Sequence, residues 1–81
     1  MSDRVLARGG IPVAKEHEEW LRSFGGLRPS SGEWLKRIGY KYIDRWDGER
    51  HLTTIKKDGM VVAEDLDYLK TWEFVIERVK A

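Results

Sequence analysis

No cysteine occurs in the 81 residues, only two histidines and two prolines do, and no apolar run approaches the roughly 18 residues of a membrane span. Each shortage excludes something. Without cysteine there is neither a disulfide framework nor a thiolate metal site, and a reducing compartment, the cytoplasm, is the natural setting. The N-terminal stretch MSDRVLARGGIPVAK lacks the continuous apolar core of a secretory signal, and no membrane association is expected. Catalysis is poorly provisioned too. No cysteine nucleophile exists, His17 falls on an apolar stripe where a packed imidazole is the ordinary reading, and Asp47 and Asp58 are taken up by turns. The reading is therefore of a protein that is not an enzyme, with no cofactor, no metal and no small-molecule substrate.

What is present is globular: 41% hydrophobic and 36% charged residues, with a net charge of +1. The charge is unevenly spread. Residues 1–21 carry three Lys/Arg against four Asp/Glu, 22–57 nine against four, and 58–81 three against six. A basic middle beside an acidic end suits an anionic partner, unless folding brings the two together.

The chain divides into an arm over 1–12, with Gly9-Gly10 and Pro12, and one domain over 13–81. Positions 13, 17, 20, 21 and 24 recur at helical spacing and Gly25-Gly26 follows, which predicts a helix over 13–24. RPSSGEWLKRIG reads as a second helix, with Ser30 as N-cap, Glu33 as its capping-box partner and Gly39 as terminator. A phosphate cradle in GGLRPSSG is the competing reading, but the Lys-Ser/Thr ending of a P-loop is missing.

Asp47-Gly48 and Asp58-Gly59 then punctuate three β-prone runs, 40–46, 50–57 and 60–64, as an antiparallel meander with type I′ turns. Two-residue loops would set Trp46 opposite Glu49, Tyr42 opposite Thr53, Tyr40 opposite Ile55 and Ile55 opposite Val62. One face would hold Tyr40, Tyr42, Trp46, Ile55, Met60 and Val62. The other would hold Lys41, Ile43, Arg45, Arg50, Leu52, Thr54, Lys56, Val61 and Ala63. The same register sets Asp44 against His51 and opposes Arg45 to Arg50, a like-charge pair that a bulge at Glu49 would relieve. The last segment matches a helix, with Asp65 as N-cap and Leu66, Leu69, Trp72, Ile76 and Val79 as its stripe; a strand with Trp72, Phe74 and Ile76 alternating matches fewer positions.

The expected architecture is α+β: two N-terminal helices, a three-stranded antiparallel meander, and a C-terminal helix packed on one sheet face. That leaves the other face for function. Lys41, Ile43, Arg45, Trp46, Arg50, Leu52 and Lys56 are the candidate partner-binding residues, basic with an apolar centre and a turn-adjacent tryptophan. Two partners fit such a face. A larger protein, or a second copy of the chain, would use Trp46 and the arginines as anchors, as an adaptor or inhibitor does. Nucleic acid would use Lys41, Arg45, Arg50, Lys56 and Lys57 for phosphate contacts, although the aromatic residues that stack on bases fall on the other face.

Overall fold

In the computed structural model, which describes residues 10–81, a 3₁₀ turn over Lys15–His17 leads into helix α1 (Glu18–Arg22), followed by α2 (Ser31–Arg37). Strands β1 (Lys41–Trp46), β2 (His51–Lys57) and β3 (Met60–Leu66) come next, and α3 (Tyr68–Val79) closes the chain. The strands pair antiparallel in the order β1-β2-β3. This is the expected α+β arrangement, with α3 in contact with β2 and β3. Most of the arm expected over 1–12 lies outside the described residues.

The first helical segment is shorter than its periodicity predicts. Val13 pairs with Lys80, the Ala14 amide donates to Val79 O (2.7 Å), and the Ala81 amide donates to Pro12 O (3.0 Å), so residues 12–14 are extended along the end of α3. The stripe nonetheless buries Val13, His17 and Leu21. Helix α2 begins as its sequence dictates: Ser30 Oγ accepts from Glu33 N (3.2 Å) while Ser30 N donates back to the Glu33 carboxylate (3.5 Å), which satisfies two free N–H groups of the first turn.

The first hairpin departs from the two-residue loop. Trp46 stands opposite His51, Asp44 opposite Thr53 and Tyr42 opposite Ile55, with Asp47–Arg50 forming a four-residue loop. Asp47 is the cause. Its Oδ1 accepts from the amides of Glu49 (2.8 Å) and Arg50 (2.9 Å), and its own amide donates to Arg50 O (3.2 Å), so the side chain builds a turn that Asp-Gly alone would have made tighter. The displacement is two residues, an even number, so each β1 and β2 side chain keeps its expected face. The Arg45–Arg50 opposition disappears, because Arg45 faces Leu52 and Arg50 leaves the strand for the loop.

The second hairpin keeps its two-residue turn, with Asp58 and Gly59 at φ of 52° and 79° and Lys57 opposite Met60. Beyond it β3 is bulged twice. Ile55 stands opposite Ala63 and Lys56 opposite Val61, which makes Val62 an extra residue; farther on, Glu64 and Asp65 together face the single Thr54. Ala63 therefore packs against the core rather than facing out, and Met60 and Val62 are exposed rather than buried. Because β3 runs on to Leu66, Asp67 caps α3 in place of Asp65, its Oδ1 accepting from Lys70 N (2.9 Å). Trp72, Val75 and Val79 are the helix's buried stripe, and Leu69 is not part of it.

These elements enclose Val13, Leu21, Trp34, Leu35, Ile55, Trp72, Val75 and Val79. Trp34 is central: it meets Trp20 at 4.7 Å and His17 at 5.1 Å, both edge to face. His17 is held there by a hydrogen bond that its Nδ1 accepts from Arg37 Nε (3.0 Å). Burial pushes its pKa below the ordinary value, the Arg37 guanidinium pushes the same way, and Glu16 opposes both more weakly. Gly32 is buried because Tyr42 lies directly on it, and a methyl group there would run into the tyrosine hydroxyl and ring.

Candidate functional site

The topology gives the molecule two unlike ends. The Asp47–Arg50 loop and the N-termini of α2 and α3 lie at one, which we call the tip; Tyr40, the Asp58-Gly59 turn and the C-terminus of α3 lie at the other, the root.

Among the described residues, none covers Trp46 on the helical face of the sheet at the tip, where it is 59% exposed. Trp46 and His51 meet there edge to face, 5.1 Å between ring centres. With Arg50, Asp67, Tyr68 and Leu69 they line an open cleft of about 480 Å³. Trp46, Tyr68 and Leu69 are 59%, 61% and 57% exposed, although each is large and apolar over most of its surface. A more polar cleft of about 260 Å³ adjoins it through His51 and Tyr68, and runs past Asp44 and Thr53 to Ser31 at the start of α2. The Thr53 hydroxyl donates to Asp44 Oδ1 (2.6 Å), the satisfied cross-strand arrangement that replaces the expected Asp44–His51 opposition.

Charge at the tip is neutralised within the chain. Arg45 Nε and Nη2 both donate to Asp65 Oδ1 (3.1 and 2.9 Å), and Arg50 lies 3.9 Å from the Asp67 carboxylate. The Asp47 carboxyl sits below its ordinary pKa because the Arg50 and Glu49 amides point at it. Among the described residues no three His, Asp or Glu side chains group as metal ligands would.

The seven candidate residues are thus divided among three places. Lys41, Ile43, Arg45, Leu52 and Lys56 share the outer sheet face, Trp46 lies on the helical face, and Arg50 is in the loop. Leu52 is only 8% exposed and offers a partner almost nothing. Arg45 is engaged by Asp65, which the second β3 bulge brings across Thr54. Lys41 and Lys56 stand directly opposite one another, and among the described residues neither has a carboxylate within ion-pair distance.

Sequence reasoning missed His51, Tyr68 and Leu69 as cleft residues. Leu69 is expected in the buried stripe of a helix capped by Asp65, but the helix starts at Tyr68 and leaves Leu69 exposed in its first turn. The available signal was Asp67, which has the side chain of a cap and stands three residues before Lys70, whose amide it accepts.

Edge pairing is discouraged on both sides. β1 carries Lys41 and Arg45 outward and the charged Asp44 inward, and β3 is broken by two bulges, devices that blunt strand addition. Faces and clefts are the binding surfaces available. Comparison with known protein families, with curated proteins and with solved structures finds no match to this chain.

Proposed function

We propose that the protein is a small, non-enzymatic protein-binding module of the cytoplasm, an adaptor or inhibitor of a larger protein, and that the tip cleft is its anchor point. The single observation behind this reading is the exposed trio Trp46, Tyr68 and Leu69 around a cleft edged by Arg50. Tryptophan, tyrosine and arginine are the residues on which interface energy concentrates, and desolvating large rings is what such a surface gains on binding. Ile43, also exposed, offers a further apolar contact on the outer face.

The test compares affinity capture by the wild type with capture by Trp46→Ala, followed by titration of the purified partner. Trp46 is mostly exposed, so the variant keeps the fold, and a partner bound through the cleft loses about 2 kcal/mol or more, at least tenfold in Kd. A partner bound equally by both proteins overturns the assignment of the cleft. Sedimentation of the wild type identifies a second copy as the partner if a dimer forms and Trp46→Ala dissociates it.

A further inference from the structure

The two adjoining clefts at the tip differ in chemistry, and one strand supplies the key side chain of each. Asp44 and Trp46 alternate onto the same helical face of β1, about 6.6 Å apart along the strand. Trp46 belongs to the apolar cleft and Asp44 to the polar one, while His51 and Tyr68 line both. Among the described residues lining the polar cleft, Asp44 is the only carboxylate, and no lysine or arginine is present. Its Oδ1 accepts from the Thr53 hydroxyl; its Oδ2 has neither a hydrogen-bond donor nor a cation among the described residues.

Other rings of the molecule carry a cation of the chain itself. Arg37 lies 5.1 Å from the centre of Trp20, Lys57 4.7 Å from that of Tyr40, and Arg78 3.5 Å from that of Phe74. Trp46, the ring type that attracts cations most strongly, carries none among the described residues. Arg50, which edges its cleft, lies instead 3.9 Å from the Asp67 carboxylate. The N-termini of α2 and α3 would favour an anion here, but each already has its acid, Glu33 in the capping box and Asp67 at the N-cap. An open carboxylate beside an exposed indole is complementary to a cation. A guanidinium suits it best, being planar, able to stack on aromatic faces and to pair with carboxylates.

Resting on the reading of the tip cleft as the anchor point, we infer that the partner presents an arginine close to an apolar side chain. The apolar group sits against Trp46 and Leu69 in the larger cleft, and the guanidinium reaches Asp44 across the Trp46 indole. The separation of Asp44 and Trp46 is that of side chains two positions apart in an extended segment, and close to that of side chains three or four apart on a helix.

The test starts with selection of a phage library of random dodecapeptides on the full chain, and the expected consensus has an arginine two to four positions from an aromatic or aliphatic residue. A labelled consensus peptide, titrated by fluorescence anisotropy, binds Asp44→Asn about tenfold or more weakly than the wild type, because the isosteric amide keeps the Thr53 bond and loses the charge. With citrulline in place of arginine, the neutral peptide binds the wild type and Asp44→Asn within about twofold of one another, which ties the loss to this one pair. Glu77→Gln removes the same charge at the root end of α3 and changes affinity less than about twofold. An acidic consensus, one without a basic residue, no selected binder, or equal losses for the arginine and citrulline peptides overturns the inference. Binding lost in Trp46→Ala but kept in Asp44→Asn also overturns it and leaves the cleft as the anchor point. A selected peptide bound equally by the wild type and Trp46→Ala overturns the cleft itself.

Discussion

The tip holds two cations and the root four, and the two ends treat them in opposite ways. At the tip Arg45 and Arg50 each have a carboxylate, Asp65 and Asp67, while at the root Lys41, Lys56, Lys57 and Arg78 have none among the described residues. The exposed apolar groups differ in kind, the Trp46 ring and Leu69 at the tip against the aliphatic Met60, Val61 and Val62 near the root, where Tyr40 and Phe74 carry cations on their faces. The helices help to set this. Both α2 and α3 start at the tip and end at the root, so the tip receives positive helix ends, which favour carboxylates, and the root negative ones, which favour cations. A nearly neutral chain thereby acquires two surfaces of different chemistry.

The largest predicted effect tests what joins the two ends. Gly32→Ala drives a methyl group into Tyr42, where α2 packs on β1, and overpacking of this kind costs about 1–3 kcal/mol. The urea midpoint falls accordingly. An unchanged midpoint would mean that α2 rides on β1 more loosely than the structure has it.

Removing cations should change stability in opposite directions at the two ends. Arg45→Gln breaks an exposed ion pair and lowers stability by about 0.2–1 kcal/mol. Lys41→Gln relieves a like-charge opposition and raises stability by a few tenths of a kcal/mol. Two losses of equal size, measured by denaturant unfolding at low salt, would remove the contrast between the ends.

Acid should loosen the core and the tip loop in separate windows. His17 is a base whose folded-state pKa lies below its unfolded value near 6.5, so the unfolded chain takes up a proton first. Stability is full above that value and falls as pH drops through it toward the folded-state pKa, and His17→Gln abolishes this slope. Asp47 is an acid with a depressed folded-state pKa. Its contribution is full above the unfolded value near 3.9 and is lost as pH falls through the lower folded-state value. The Glu49 and Arg50 amide resonances report the loop's loss at a pH where the His17 titration is already complete. Coincident transitions would mean that acid unfolds the chain as one unit, without the local step.

Much of this was legible in advance because it depends on neighbours in sequence. The capping box of α2, the type I′ turn at Asp58-Gly59 and the assignment of faces on β1 and β2 all follow from residues within a few positions of one another. The register of the first hairpin was not, because Asp-Gly is compatible with both loop lengths and the choice fell to the hydrogen bonds that Asp47 makes to its own loop. The β3 bulges were hidden for a similar reason. Val61, Val62 and Ala63 are all apolar, so alternation carries no phase there. Of the candidate site, Trp46, Arg50, Lys41 and Lys56 proved to be exposed or cation-bearing positions, but on three surfaces instead of one.

The sequence by itself determined the order and type of the elements and the stripes that bury Trp34, Ile55 and Val75, since local periodicity and turn chemistry are written along the chain. Tertiary structure alone decided which charges cancel. Arg45 meets Asp65 across 20 positions and Arg78 meets Tyr40 across 38, while Lys41 and Lys56 are set together with no acid within ion-pair distance among the described residues. Charge compensation depends on distances of a few ångströms between residues far apart in the chain, and only the packing of helices on the sheet fixes those.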